Sequence, residues 1–221
     1  MVTEFQKGYR IPIASGGQAE VLQILGRGGQ GTVYSVRYND CEYALKWYHP
    51  DAISAPEEFM KNLCKNVTDG PPGKAFLWPR FLTEKTGGSF GYLMDLRPTD
   101  FCEFTALLNK KDRHGNRVEL PGLAMSANCA LNIVNNFGAL HRQGKSYQDL
   151  NDGNFFINCQ NGEVLIADND NVAPDRQNLG IGGKPGYMAP EIVRGEAKPD
   201  TLTDLHSLAV VLFKLFMRHD P

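Results

Sequence analysis

Residues Gly26-Arg27-Gly28-Gly29-Gln30-Gly31-Thr32-Val33 have the form G-x-G-x-x-G-x-V. Glycines at such spacing let backbone N–H groups approach phosphate without side-chain obstruction, and dinucleotide sites use a similar pattern. The two differ in the element that comes after the glycines. A dinucleotide site opens a helix there, whereas Thr32-Val33-Tyr34-Ser35-Val36-Arg37-Tyr38 is rich in strand-forming residues. Taken alone, the segment fits an ordinary glycine hairpin equally well. Downstream, Ala44-Leu45-Lys46 puts a cation at the end of the next strand-like run. Tyr147-Gln148-Asp149-Leu150-Asn151-Asp152-Gly153-Asn154 holds an aspartate and an asparagine five apart, and Val164-Leu165-Ile166-Ala167 delivers Asp168-Asn169-Asp170. An Asp and an Asn supply the oxygen ligands that hard Mg²⁺ prefers. Phosphoryl transfer needs positioning and charge neutralisation more than covalent chemistry. Asp149 alone reads as a turn-forming residue of an Asn/Asp/Gly-rich loop, and Lys46 alone as a solvated strand charge. Their order along the chain argues otherwise.

These residues need elements to position them. Val21–Leu25, 32–38 and 42–47 predict a three-strand antiparallel meander, with Asn39-Asp40 as a turn. Residues 56–67 predict a helix with Pro56 in its first turn, and further strands are expected around 80–84 and 90–95. From about 98 the pattern turns helical. Leu123, Leu131, Val134, Phe137 and Leu140 predict an amphipathic helix stopped near Gly144, and Leu205–Met217 a buried core helix. A strand-rich lobe therefore precedes a helix-rich one, joined near Asp95–Thr99.

With Met188-Ala189-Pro190-Glu191 and Thr203-Asp204 completing the series, the chain resembles the eukaryotic-like bacterial Ser/Thr protein kinases over about residues 20–217. The resemblance implies an α+β, bilobal protein-kinase-like fold. A small antiparallel-sheet N-lobe with one helix would span 1–97, and a mainly helical C-lobe 98–221. It implies that ATP is cradled at Gly26, Gly28 and Gly31, with Lys46 on the α- and β-phosphates. Leu25, Val33, Ala44 and Phe156 would enclose the adenine, Met94 would be the gatekeeper, and Asp95-Leu96-Arg97 the hinge. Asp149 would orient the substrate hydroxyl and accept its proton. Asn154 and Asp168 would hold Mg²⁺ or Mn²⁺. Asp204 would anchor the catalytic loop through hydrogen bonds. Glu57 or Glu58 would pair with Lys46, although Lys61, one turn on, would repel it if it faced the same way. Only residues 192–221 come after Glu191, so further C-lobe helices are expected to be missing, and the Asp204 helix is expected to expose an apolar patch.

The pattern also departs from the family. Tyr147 and Gln148 replace the histidine and the phosphate-gripping arginine before the catalytic aspartate, and residues 168–186 contain no Ser, Thr or Tyr. Both predict activity independent of phosphorylation in that loop. Asn151 stands where a lysine is usual, Asn169 where an aromatic is, and Lys184 where a threonine contacts the catalytic aspartate; Lys184 is a candidate to restore the missing charge. Two other readings stay open: a pseudokinase that binds nucleotide as a scaffold, and a small-molecule kinase of the aminoglycoside phosphotransferase type. The Tyr-Gln-Asp and Asp-Asn-Asp phrases also resemble bacterial kinases that partner a PP2C-type phosphatase and a von Willebrand A protein, beside an unidentified protein substrate.

Composition bounds the rest. The 221 residues carry 23 Lys+Arg against 25 Asp+Glu, a net of −2 that argues for neither a nucleic-acid nor a membrane partner. Asn109–Arg117 is a local basic stretch, read as a solvated insertion rather than a dock for an acidic partner. The five cysteines, at 41, 64, 102, 129 and 159, show no metal or redox spacing and predict reduced, packed thiols in the cytosol. Neither an apolar span nor a signal-peptide core is visible.

Overall fold

The computed structural model describes residues 4–112, 114–119, 122–219 and 221. Two compact units divide the chain. One runs to Pro71 and resumes at Leu77–Arg97; the other combines Pro72–Phe76 with the chain from Pro98 onward.

The first unit is a six-stranded antiparallel sheet with one helix. Its strands are β1 (Arg10–Pro12), β2 (Gln18–Arg27), β3 (Gly31–Tyr38), β4 (Cys41–Tyr48), β5 (Phe81–Leu82) and β6 (Gly91–Asp95), in the order β1-β2-β3-β4-β6-β5. The expected meander is β2-β3-β4. β1 has no counterpart in the sequence reading, because three residues ending in proline carry too little alternation to register. Directly opposed residues share a sheet face, and Val33↔Lys46↔Tyr92 and Ser35↔Ala44↔Met94 run straight across β3, β4 and β6. The opposite face carries Tyr34, Val36, Leu45, Trp47 and Leu93, which pack with Ile11, Ile13 and Val21 into a buried core. α1 (Pro56–Asp69) has Pro56 in its first turn, ends at Gly70 with φ 75°, and buries Phe59, Asn62, Leu63 and Asn66.

The second unit holds β7 (Phe101–Glu103), α2 (Phe104–Asn109), α3 (Gly122–Arg142), β8 (Lys145–Tyr147), β9 (Phe155–Asn158), β10 (Val164–Ile166), β11 (Val172–Pro174), α4 (Pro190–Val193) and α5 (Thr201–Met217). The strands form a β10-β9-β7 sheet and a β11-β8 pair. Of the basic stretch, Arg113 lies outside the described residues; Asp112 Oδ1 accepts the N–H groups of His114 and Asn116, both at 2.8 Å.

The face of α3 differs from expectation, whereas α5, expected both as a core helix and to expose an apolar patch, shows the patch and is buried on one side. α3 buries Ser126, Cys129, Ile133, Phe137 and Leu140, while Leu123, Leu131 and Val134 are exposed. The buried arc is rotated toward a row of asparagines that fasten the β9–β10 hairpin. Asn128 Nδ2 donates to Asn161 O (2.7 Å) and Asn132 Nδ2 to Gly162 O (3.0 Å). α5 is not wholly buried. Thr203, Asp204, Ser207, Leu208, Val211 and Leu215 face inward, but Leu202, Leu205, Phe216 and Met217 form an exposed apolar face. Its start is fixed by a reciprocal cap: Asp200 Oδ1 accepts Thr203 N–H and Thr203 Oγ1 accepts Asp200 N–H, both at 2.9 Å.

Candidate active site

In the first unit, the β2–β3 connection is closed by Gly28 N–H donating to Gly31 O at 2.9 Å. A Cβ on Gly26 or Gly29 would meet no protein atom within 4 Å, so these glycines leave the loop backbone uncovered. Gly31 is also required by packing: a Cβ there would lie 2.2 Å from Trp47 O on β4. Lys46 is 5% exposed; its Nζ lies 3.5 Å from Gln30 Oε1 and 5.6 Å from the centre of the Tyr48 ring. Ala44 and Met94 are buried beside it on the same sheet face, Val33 is half-buried there, and Leu25 is exposed at the β2 bulge. Asp95 and Leu96 are half-buried at the end of β6, and Asp95 Oδ2 accepts from Arg80 Nη2 at 2.6 Å. Glu57 and Glu58 occupy the first turn of α1 and are both exposed. Buried Asn62, one turn beyond Glu58, escaped the sequence reading, because an amide carries no charge signal.

In the second unit, the loop between β8 and β9 holds Asp149 and Asn154 in a mesh of backbone and amide bonds. Asp149 Oδ1 accepts from Asn151 Nδ2 and from the Lys184 backbone N–H, each at 3.0 Å. Asp149 O accepts from Asn154 Nδ2 at 2.7 Å, which leaves Asn154 Oδ1 as that side chain's oxygen donor. Asn151 Oδ1 caps the 3-10 turn Asp152–Asn154 by accepting Gly153 N–H at 2.9 Å. The amide at the usual lysine position thus shapes the loop rather than charging it. The cation stands elsewhere: Lys184 Nζ lies 2.5 Å from Asp152 Oδ1 and 5.2 Å from the Tyr187 ring centre.

The loop hangs from Asp204. Asp204 Oδ2 accepts Tyr147 N–H at 2.7 Å and lies 2.9 Å from His141 Nε2. Burial pushes this carboxyl up to about 6 against the pull of both partners. His141 is therefore part of the anchor. The buried Tyr147 hydroxyl donates to Ala167 O, and burial raises its pKa well above the usual value. Ala167 N–H donates to Asn154 O at 2.8 Å, tying the two loops together. Asp168, next in the chain, sits in the left-handed region at φ 49°, a conformation that Asp tolerates better than most side chains. Asn169 is fully buried, with Nδ2 donating to Ile166 O at 2.8 Å, so its amide is engaged where the family places an aromatic ring. Phe156 is half-buried on β9, opposite Leu165 and Glu103.

Gln148 bonds the segment that follows β11. Its Oε1 accepts Leu179 N–H at 3.0 Å and its Nε2 donates to Gln177 O, so one neutral amide grips the loop backbone at two points.

Residues 100–221 match the protein kinase domain family. The chain belongs to that family. Among its relatives, G protein-coupled receptor kinase 2 of Caenorhabditis elegans is 26% identical over 220 residues, covering 91% of this chain and 28% of that protein. A probable serine/threonine-protein kinase PknB of Bifidobacterium longum is 32% identical over 98 residues, covering 41% of this chain and 14% of that protein. The chain thus spans less than a third of the length of these curated relatives. The Mycobacterium tuberculosis PknI kinase domain superposes with a TM-score of 0.69 at 23% identity, covering 99% of this kinase chain and 80% of that one, which establishes the shared fold.

Protein kinases use ATP and a divalent metal. Asn154 Oδ1 and the Asp168 carboxylate fit such an ion, being two hard oxygen donors on adjoining loops. Among the described residues no group of three or more His, Cys, Asp or Glu side chains forms a closed metal cage. Among the described residues, no helix is long and apolar enough to cross a membrane.

Proposed function

We propose that this kinase domain transfers the γ-phosphoryl of ATP to Ser or Thr hydroxyls of a protein, without needing a phosphate on its own activation loop. The observation that carries this is the ordering of Asp149: Asn151 and the Lys184 N–H fix one carboxylate oxygen. The other oxygen is the one proposed to receive the substrate hydroxyl proton. Gly26, Gly28 and Gly31 shape the phosphate loop, and Lys46 neutralises the α- and β-phosphates. Glu57 or Glu58 serves as its partner. Leu25, Val33, Ala44, Met94, Asp95, Leu96 and Phe156 receive the adenine. Asn154 and Asp168 hold Mg²⁺ or Mn²⁺, which when bound neutralises phosphate charge. Lys184 supplies the cation that Asn151 lacks.

Independence from loop phosphorylation rests on Gln148. Kinases that join an arginine to a phosphorylated loop gain order from an added charge. Here an uncharged amide bonds the loop backbone directly, in a segment with no hydroxyl to modify.

A second reading, nucleotide binding without transfer, draws on the exposure of Glu57 and Glu58 and on Asn169. Intact-mass spectrometry with Mg²⁺ and ATP, with and without a generic protein substrate and beside Asp168→Ala, separates the readings. Phosphoamino acids in the parent alone support a protein kinase. Nucleotide binding without any transfer supports the scaffold, and transfer confined to small-molecule acceptors supports the third class. A PP2C-type phosphatase and a von Willebrand A protein are the proposed partners, testable by co-purification from the native source. The cytosol is the proposed compartment.

A further inference from the structure

The cysteines are not all packed singly. Cys41 and Cys64 are exposed, and Cys129 is fully buried on α3. Cys102 and Cys159, 57 residues apart in sequence, lie with their sulfurs 3.1 Å apart. The strand register explains the approach. Cys102 on β7 sits opposite Ile157 on β9, and Cys159 lies two residues beyond Ile157, in the turn that follows the strand.

We propose that Cys102 and Cys159 are a redox modification site, a dithiol that peroxides convert reversibly to an intramolecular disulfide. Cys159 is the attacking sulfur. Hydrogen bonding with the Cys102 sulfur and the Arg218 charge at the end of α5 favour its anion and together bring it down to about 7 although burial opposes them. Cys129 shows the contrast: burial pushes its thiol up to about 11, so it stays protonated and inert. The Cys102 sulfur also lies 3.3 Å from Ile157 O, an alternative acceptor for its single hydrogen. Both residues of the pair are only half-buried.

The chemistry balances with hydrogen peroxide as the oxidant. The Cys159 thiolate attacks one peroxide oxygen; the S–O bond forms, the O–O bond breaks, and the leaving hydroxide takes up a proton as water. The Cys102 sulfur, giving up its proton, then attacks the Cys159 sulfenic sulfur. The S–S bond forms, the S–O bond breaks, and a second water leaves. Two thiols lose two electrons and two hydrogens, and one peroxide becomes two waters.

The sulfurs must close from 3.1 Å to about 2 Å, which needs a small shift of the pair. The position of the pair supplies it. Cys159 lies in the turn after β9, and β7 is an edge strand of its sheet. The bridge would tie β7 to the hairpin that begins after Asn154 and runs on to Asp168.

The test is thiol trapping on the whole chain. Reduced protein is exposed to hydrogen peroxide, blocked with N-ethylmaleimide, and weighed intact and as peptides. The expected result is two fewer maleimides than in the untreated sample, with loss of the mass of two hydrogens. A peptide joining Cys102 to Cys159 should appear, and dithiothreitol should reverse it. A Cys41→Ser/Cys64→Ser variant is expected to behave identically. Cys102→Ser is expected to form no internal disulfide and to carry added oxygen on Cys159. Unchanged labelling, bridges to any other cysteine, or bridges only between chains would each overturn the proposal.

Discussion

At the scale of single residues, the site rests on one carboxylate held by amides and a buried one held by His141 and the Tyr147 N–H. Asp149→Asn keeps the size of the group but removes its basicity. It is expected to cut turnover by roughly 10²–10⁴-fold with nucleotide binding unchanged, measured by single-turnover phosphorylation and nucleotide titration. Lys184 contributes twice, through its backbone N–H to Asp149 and its ammonium beside Asp152. Lys184→Met keeps the first and loses the second. Transfer should fall by about 10²-fold, with partial rescue in Lys184→Arg; equal activity in all three proteins would remove Lys184 from the reaction. Asp204 behaves oppositely to most carboxylates. Its folded pKa, about 6, lies above the ordinary 3.8, so its contribution to stability is fully present below about 3.8 and is lost as pH rises through about 6. The parent should therefore lose stability relative to Asp204→Asn as urea denaturation is repeated from pH 4 to 7; a relative gain would reverse the sign assigned to this group.

Among the elements, α3 shows how a helix can be legible while its face is not. Its leucines and valine suggest a stripe, but the packed arc contains Ser126 and Cys129, and the adjoining asparagines bind the β9–β10 hairpin. Ile133→Ala, in the true core, should destabilise the protein by about 2–5 kcal/mol, whereas Leu131→Ala, on the exposed side, should cost under about 0.5 kcal/mol; thermal denaturation distinguishes them. The glycine loop divides in the same way. Gly31→Ala would drive a Cβ into the Trp47 carbonyl and should lower the melting temperature. Gly29→Ala meets open space, so any loss should appear in nucleotide affinity instead.

For the whole molecule, the two units have different internal architecture. One is an antiparallel sheet whose core lies on the face opposite Lys46; the other is built on α3 and α5 with short strands carrying the loops of the candidate site. Hydrogen exchange should show β2, β3, β4 and β6 protected as one block. A second block should comprise α3, β8 and the inner face of α5, while the exposed residues of α5 should tolerate polar replacement without loss of this protection.

The order of the chemistry is written in the chain itself: glycine loop, strand lysine, Asp149, Asn154 and Asp168. So is the strand-then-helix division, because turn residues, alternation and short motifs are local properties of a sequence. The three-residue strands β1, β7, β8 and β11 are not legible there, although β5, shorter still, falls within the strand expected at 80–84; what they lack is a flanking turn signal or a run of strand-forming residues. Folding in three dimensions is what makes Gln148 clamp the loop at residues 177–179, brings His141 and Tyr147 together at Asp204, and sets Cys102 against Cys159. Each of these depends on distances across segments far apart in the chain. Those distances are set by strand register and helix packing, which no local pattern of residues encodes.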